Sequence, residues 1–283
     1  MYRFIWSALC LLNVGMSTVG AVEPVQAPLI LAVHPYLADE EIQKRFTPLA
    51  NYLGRQLGHP VRVRVGYDYT RHVEAIGLNS VDIAFMGPAS YVLLAERYGG
   101  KPLLARIEIM GKPRLSGYII TRAHSTLRNL ADLRGRRFAF VDPDSTMGMV
   151  VPRYVMQQAG IKLKTLGAYQ FLGGHRNVAL GVLSGDYDAG AIKSEVYDEM
   201  APRGLRVLAK LPDVSEHLFV ARSDLPAQQI AQMRKALLDL KSDPNGIRIM
   251  RAINKDMSAM VPVVDADYDN LRQIQRALVS TQD

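Results

Sequence analysis

The 283-residue chain contains a single cysteine, Cys10, and that residue lies inside an apolar N-terminal segment. The basic residue Arg3, the apolar run 4–14 and the small residues at 19–21 are typical of a cleavable export signal. Removal of residues 1–21 leaves a chain without thiol or disulfide chemistry. An exported protein without cysteine is more typical of a bacterial periplasm than of a disulfide-stabilised extracellular domain. We therefore expect a signal peptide and a periplasmic mature protein.

Other features that the sequence lacks exclude several classes of function. After the N-terminal segment there is no apolar run of about 20 residues, the length that a membrane-spanning helix needs. The basic residues behind the net charge of +7 are spread out rather than massed with aromatics, which argues against nucleic-acid binding. The six histidines are scattered and form no H-x-x-x-H pair, so no metal site is predicted. We expect no metal or other cofactor, and only a general attraction for small anions.

Strand and helix patterns alternate along the chain, in which 48% of the residues are hydrophobic and 22% charged, as in folded proteins. Short apolar or alternating runs predict strands at 28–33, 61–65, 81–86, 103–109, 117–121, 138–141, 169–172, 207–211 and 217–221. Among the predicted helices, one begins at Thr47 and Pro48 and ends at Gly58, and two amphipathic helices end the chain. This alternation predicts an α/β protein with mainly parallel sheets.

The length fits two lobes of similar α/β build, since no repeat, low-complexity tract or long linker interrupts the chain. The chain would cross between the two lobes in strands near 118–122 and 219–222. Lobe 1 would then contain residues 22–120 and 220–283, and lobe 2 residues 121–219. A cleft between two such lobes is a common place for a ligand.

The segment 137–160 combines a strand, a polar turn and a helix. Its apolar run 138–141 is followed by Ser145 and Thr146 and then by a helical pattern that ends near Gly160. A helix that starts after a strand and a short turn directs unpaired backbone N–H groups at an anion. The two hydroxyls can cap those groups or donate to the anion themselves. Taken alone, the turn is better explained as an ordinary helix cap.

The chain resembles a known family over nearly all of its mature length, in the segments FTPLANYLGRQLGHPV, GYDYTRHVEAI, VDIAFMGPASYVLLAE, LADLRGRRFAFVDPDSTMG and GGHRNVALGVLSGDYDAGAIKSE. The family is that of the phosphonate-, phosphite- and phosphate-binding periplasmic proteins that serve ABC transporters. The resemblance implies a two-lobed, type II periplasmic-binding-protein fold. It also implies capture of a small oxyanion by closure of the lobes, for delivery to a membrane permease.

The resemblance further implies a set of binding residues. The first-lobe tyrosine of the family falls on Tyr69, and the tyrosine near the hinge falls on Tyr118. The serine and threonine that hold the phosphonate oxygens fall on Ser145 and Thr146. The family histidine falls on His175.

Glu195 matches an acidic family residue, and two other positions depart from the family pattern. Met147 stands where the family commonly has serine, so one hydroxyl donor is lost. His217, with Glu216 beside it, stands where members that bind an aminoalkyl phosphonate have an aspartate for the ligand's ammonium group. We therefore expect a smaller or unsubstituted oxyanion, with His217 as a further contact.

Two other functions share some of these sequence features. The same domain could report ligand binding to a membrane sensor kinase instead of a permease. Ser145, His175 and Glu195 are the residue types of a hydrolase triad, but the sequence has no G-x-S-x-G elbow and Ser145 precedes a helix as a cap would. We expect a binding protein rather than an enzyme, acting as a monomer.

Overall fold

The structure of this protein, a computed structural model, describes residues 27–279. Two mixed β-sheets, each covered by helices, form two lobes. The predicted signal peptide, including Cys10, lies outside the described residues. None of the helices within 27–279 has the length and apolar character that crossing a membrane would require.

Helices and strands alternate as predicted. The strands are β1 (Leu29–Val33), β2 (Val61–Val65), β3 (Ile83–Met86), β4 (Leu103–Ile109), β5 (Arg114–Leu115), β6 (Gly117–Arg122), β7 (Arg137–Phe140), β8 (Ala168–Phe171), β9 (Ala189–Lys193), β10 (Leu205–Lys210), β11 (Val214–Ser215), β12 (Leu218–Ala221) and β13 (Met257–Val261). The helices are α1 (Asp39–Leu57), α2 (Tyr69–Gly77), α3 (Pro88–Tyr98), α4 (Val151–Gln158), α5 (His175–Ser184), α6 (Ser194–Met200), α7 (Ala227–Asp239), α8 (Gly246–Ile253) and α9 (Asp269–Val279).

Lobe 1 is built on a six-stranded sheet with the order β13-β4-β12-β3-β1-β2. Strand β1 pairs parallel with β2 on one side and with β3 on the other. Strand β12 lies antiparallel between β3 and β4, with Leu218 opposite Met86. The carboxyl ends of β1, β2 and β3 therefore lie at one edge of the sheet, and β12 begins at that same edge.

Lobe 2 is built on a five-stranded sheet with the order β10-β6-β9-β7-β8. Strand β7 is parallel to β8 and β9, whereas β6 is antiparallel to β9 and β10. The two-lobed α/β fold is thus confirmed, and each sheet contains a run of three neighbouring parallel strands, β3-β1-β2 in lobe 1 and β9-β7-β8 in lobe 2. The sheets as a whole are mixed, because β12 and β13 in lobe 1 and β6 in lobe 2 run antiparallel to their neighbours.

The chain crosses between the lobes at β5 and β11. These two short strands form a separate antiparallel pair, while β6 belongs to the lobe 2 sheet and β12 to the lobe 1 sheet. The connections predicted near 118–122 and 219–222 lie a few residues further along, inside β6 and β12. The exact limits of the lobes stay a prediction.

Helix α1 begins at Asp39, so the predicted start at Thr47 is wrong. Three acidic residues fill its first turn, where they suit the positive end of the helix dipole. Pro48 lies inside the helix, and the Thr47 hydroxyl donates to the Gln43 carbonyl 2.6 Å away instead of capping a helix start. The predicted end is confirmed, because Gly58 adopts a left-handed conformation with φ of 63°.

The two predicted C-terminal helices are present as α7 and α9, but α8 and β13 between them were not predicted. Helix α9 contacts α3 of lobe 1 and α4 of lobe 2, so it joins the lobes rather than completing lobe 1 alone. Leu271 and Leu278 of this helix belong to an apolar cluster that also contains Val92 and Phe138. The base of the cleft is therefore a packed core shared by both lobes.

Candidate oxyanion site

The edge of the lobe 1 sheet supplies one wall of a cleft. His34 and Tyr36 follow β1, Tyr69 follows β2, and Gly87 follows β3, so the parallel pairing of these strands brings all four residues to one place. His217 directly precedes β12 and joins them because β12 starts at this edge. Ligands of open α/β sheets bind outside the carboxyl ends of the strands, as here.

The lobe 2 sheet supplies the opposite wall in the same way. The turn after β7 carries Ser145 and Thr146, the loop after β8 carries His175, and β9 ends at Lys193. A small pocket of about 10 Å³ forms where the two walls meet. It is lined by His34, Tyr36, Tyr69, Gly87, Leu115, Ser145, Thr146, Met147, His175, Lys193 and His217.

Several helices begin at this pocket. Helix α2 begins at Tyr69, α3 at Pro88, α5 at His175 and α6 at Ser194, and the helical turn of 146–150 precedes α4. The first N–H groups of each helix have no partner inside the helix, and each helix start carries the positive end of the helix dipole. Their convergence makes the pocket favourable for an anion before any side chain is considered.

The turn before α4 is tightly built. Ser145 caps it, because its hydroxyl accepts from the Gly148 N–H at 3.2 Å and its carbonyl accepts from the N–H groups of Met149 and Val150 at 3.0 Å. The Thr146 hydroxyl accepts from the Ala89 N–H of α3 at 3.0 Å, which leaves its own proton for another acceptor. The turn is thus both a helix cap and a donor group.

Tyr69 and His175 are also donors in this pocket. Burial raises the pKa of Tyr69, with a further contribution from Asp142, so its phenol keeps its proton. His175 accepts the Lys193 N–H through Nδ1 at 3.2 Å, which assigns the imidazole proton to Nε2. Burial lowers the pKa of His175 well below its usual value, and the Lys193 charge lowers it further, so the ring is a neutral donor.

Glu195 lies beside the pocket but does not line it. Its carboxylate forms an ion pair with Lys193 at 2.6 Å and another with Arg45 of lobe 1 at 3.2 Å. Burial raises the pKa of Glu195, but Lys193 and Arg45 more than offset this and hold it at about 2. The structure therefore places Glu195 as a carboxylate that bridges the lobes behind the pocket.

His217 faces the pocket with one side of its ring. Its Nδ1 contacts the Glu216 carboxylate, which also accepts the His217 backbone N–H at 2.9 Å. A Cβ added to Gly87 would lie 3.7 Å from His217 Nε2 and 3.6 Å from Thr146 Oγ1, so both atoms point at this glycine. Glu216 thus orients the imidazole and directs Nε2 into the pocket.

The structure brings together Tyr69, Ser145, Thr146, His175 and His217, all of which the sequence predicts as binding residues. Tyr118 is not part of this group: its ring is half buried and packs edge-on against Tyr197 at 4.9 Å. Its role stays a prediction.

Three aromatic or basic residues of the pocket were not predicted from the sequence. These are His34, Tyr36 and Lys193. Each directly follows or ends a strand whose carboxyl edge faces the cleft, so their positions relative to the predicted strands were the available signal.

A second, larger space of about 330 Å³ opens from the pocket along the cleft. The two share Tyr36, Leu115, Lys193 and His217. Its walls carry charges of both signs, including Lys112 of the loop after β4 and Asp198 of α6. The small pocket is therefore the closed end of a wider cleft.

The lobes touch across this cleft. Besides the Thr146–Ala89 hydrogen bond, the Thr70 hydroxyl donates to Asp144 at 3.2 Å. Arg176 of lobe 2 lies 3.6 Å from Glu41 of α1. These contacts define a closed arrangement around the pocket.

Comparison with known proteins identifies the family. A family model described as the periplasmic phosphonate substrate-binding protein of ABC transporters matches residues 31–268. The chain is 28% identical to the phosphate-import protein PhnD of Mycolicibacterium smegmatis, over 87% of this chain and 84% of that protein. It is 24% identical to a probable phosphite-binding ABC transporter protein, PhnD1, of Prochlorococcus marinus, over 84% of this chain and 85% of that one.

Solved structures agree on the fold. The structure of Prochlorococcus marinus PhnD1 in complex with methylphosphonate is similar with a TM-score of 0.80, at 22% identity, covering 89% of this chain and 98% of that one. A binding protein of an ABC phosphonate transporter from Pseudomonas aeruginosa gives the same TM-score at 19% identity, covering 88% and 86%. The chain belongs to the phosphonate-binding family of periplasmic substrate-binding proteins of ABC transporters. A protein of this family has a small-molecule ligand and a membrane permease as its partners.

Proposed function

We propose that this protein captures a phosphonate, phosphite or related small tetrahedral oxyanion and delivers it to an ABC importer by closing its two lobes. The observation that carries the proposal is the convergence of helix starts with three side-chain hydrogen-bond donors, Tyr69, Thr146 and His175, in one buried pocket. Tetrahedral oxyanions offer acceptor oxygens in several directions, and such a set of donors matches them.

The acidic residues favour an anion without an amine. Glu195 is held by Lys193 and Arg45, and Glu216 by His217. Neither carboxylate is left to receive a ligand's ammonium group. Relatives point to the same class, since their names give phosphate and phosphite as ligands. The proposed ligand is accordingly an inorganic or alkyl-substituted phosphorus oxyanion.

The protein would bind without chemical change. The Ser145 hydroxyl accepts from the Gly148 N–H as a cap, and the Nδ1 of His175 is occupied by the Lys193 N–H, so the two residues are not arranged as nucleophile and base. Residues 1–21 would direct export to the periplasm, and the protein would meet its permease as a monomer.

A titration with a panel of anions tests this proposal. Phosphate, phosphite, methylphosphonate, 2-aminoethylphosphonate and sulfate would be added to the exported protein, and melting temperature and calorimetric affinity would be measured. A ligand that binds only the folded state raises the melting temperature by mass action. We expect at least one of the first three to bind more tightly than 2-aminoethylphosphonate and sulfate. No binding by any phosphorus oxyanion would contradict the proposal.

The variant Thr146→Val tests whether the anion binds next to the Thr146 hydroxyl. The change removes the hydroxyl donor, and we expect binding of the selected anion to weaken by about 1.5–3 kcal/mol, the range for hydrogen bonds to charged groups. Thr121→Val is the matched control, because Thr121 is equally buried but donates to the Asp188 carbonyl inside lobe 2. It should lower stability and leave the affinity unchanged. Equal affinities for Thr146→Val and the unaltered protein would place the anion elsewhere.

A further inference from the structure

His34 is a fully buried imidazole whose ring is not used by the fold. It lies at the end of β1, and 2% of its surface is exposed. Among residues 27–279, neither its Nδ1 nor its Nε2 has a hydrogen-bond partner. Buried polar atoms are nearly always paired, so two unpaired nitrogens on one ring call for a ligand. The ring lines the small pocket, where such a ligand would lie.

The surroundings of His34 are aromatic and basic. Its ring stacks on Tyr36 at 4.8 Å and on His217 at 5.1 Å, and it meets Tyr69 edge-on at 5.2 Å. The basic groups that act on it are His72, His175, Lys193 and His217. Burial lowers the pKa of His34 well below its ordinary value, and these groups lower it further. The ring is therefore neutral and lies among three further imidazoles and the Lys193 ammonium group.

The carboxylates of Glu195 and Glu216 do not supply negative charge next to the His34 ring. Glu216 is held by His217, and Glu195 is held by Lys193 and Arg45. Both carboxylates are therefore already paired with basic residues of the pocket, Lys193 and His217. A small anion in the pocket would be the group that supplies negative charge next to the His34 nitrogens.

We propose that His34 is an oxyanion-binding residue, whose ring N–H donates to the anion and whose second nitrogen takes up a proton from solvent when the anion binds. The proposal rests on the proposed function and narrows it to compact anions that carry no amine. An anion in contact with the ring favours the imidazolium form, so binding should tighten as the pH falls towards the ordinary range of histidine titration. His34 then makes the affinity depend on the charge of the anion, in addition to the hydrogen bonds from lobe 2.

His72 offers a matched control inside the same cluster. Its ring lies 6.2 Å from that of His34 and is equally buried. Its Nε2 is hydrogen-bonded to the Phe85 carbonyl at 3.1 Å, and the residue does not line the pocket. Burial lowers the pKa of His72 to about 4, so it is neutral as well. The two histidines thus differ in hydrogen bonding and in access to the pocket.

The test compares His34→Phe with His72→Phe, using phosphate, phosphite and methylphosphonate as probes. Phenylalanine keeps the ring stacking at position 34 and removes only unpaired nitrogens, so the melting temperature should stay the same or rise. Anion affinity should fall about ten- to a hundredfold, because a hydrogen bond to a charged group is lost. His72→Phe should show the reverse: a lower melting temperature and an unchanged affinity.

Calorimetry in buffers of different ionisation enthalpy provides the second readout. The unaltered protein should take up a fraction of a proton for each anion bound, and His34→Phe should take up less. If an anion binds and His34→Phe changes neither affinity nor proton uptake, the inference about His34 is overturned while the proposed function stands. If none of the three anions binds to the unaltered protein, the proposed function fails and this inference fails with it.

Discussion

Glu195 is a carboxylate next to a site for anions, and its ion pairs explain how the two can coexist. Lys193 and Arg45 neutralise it from two directions, one from each lobe. Because removing one member of a partly buried ion pair leaves uncompensated charge, this residue should contribute to the stability of the closed form. Its side chain lines the wider cleft next to the pocket, and its role as a ligand contact stays a prediction.

Glu195→Gln should therefore lower stability in a manner that depends on pH. The pKa of Glu195 is about 2 in the folded protein, against an ordinary value of 4.5 for glutamate. A depressed folded pKa gives stabilisation that is present above the unfolded value and lost as the pH falls through the folded value. We expect the melting temperature of the variant to be about 5 °C lower at neutral pH, with the difference narrowing below the ordinary titration range of glutamate.

Melting curves between pH 3 and pH 7 would measure this difference. Glu199→Gln is the control, since Glu199 pairs with Arg176 at 2.8 Å but its side chain is 51% exposed. Exposed ion pairs contribute little, so its melting temperature should stay close to that of the unaltered protein. If the melting temperature of Glu195→Gln differs from that of the unaltered protein by the same amount at every pH, the predicted pH dependence is contradicted.

At the scale of single residues, the sequence predicted the hydroxyl and imidazole donors but not the whole pocket. Ser145, Thr146 and His175 sit in short, specific motifs and could be placed by resemblance. His34 and Lys193 carry no such motif: one precedes a proline in a loop and the other ends a buried strand. Their relevance follows only from the pairing of β1 with β3 and of β9 with β7, which is a property of the sheets.

At the scale of elements, the turn 146–150 depends on a glycine. A Cβ at Gly148 would lie 2.3 Å from Val141 Cβ and 2.7 Å from the Ser145 hydroxyl. Real side chains do not approach so closely, so the glycine allows the turn to lie against β7 while Ser145 caps it. The geometry of this proposed anion-binding turn therefore depends on this position.

Gly148→Ala should disturb both stability and binding. Overpacking of a core position costs roughly 1–3 kcal/mol, and here the displaced group is the cap itself. We expect a lower melting temperature and an affinity for the selected anion reduced at least about tenfold, both measured on the same preparation. Gly100→Ala is the control, because a Cβ there meets nothing within 4 Å. Unchanged affinity in Gly148→Ala would show that the turn does not bind the anion.

The elements that the sequence predicted well are those with strong local signals. The strand at 61–65 alternates strictly, and Gly58 ends α1 as expected. Helix α1 was predicted to be too short because a Thr-Pro pair is a typical helix start, although here Ile42 and Phe46 continue its buried face. Helix α8 and the edge strand β13 were missed because they are short, with eight and five residues, and they pack against α1 and β4.

At the scale of the whole molecule, the site exists only where the lobes meet. His34 and Tyr69 belong to lobe 1, whereas Thr146 and His175 belong to lobe 2. Hydrogen bonds and ion pairs between the lobes then hold the closed arrangement, and the α9 helix packs on both. The two-lobed architecture could be predicted from alternating elements and from the family resemblance, but the pairing of β5 with β11 at the crossing could not, because each strand has only two residues.

The most direct test of this account is a crystal structure of the exported protein with the phosphorus oxyanion that binds best. We expect the anion between the lobes, with its oxygens within hydrogen-bond distance of Tyr69, Thr146, His175 and His34. An anion found elsewhere, such as the 550 Å³ arginine-lined hollow of lobe 2 next to Arg122 and Arg203, would contradict the assignment of the site.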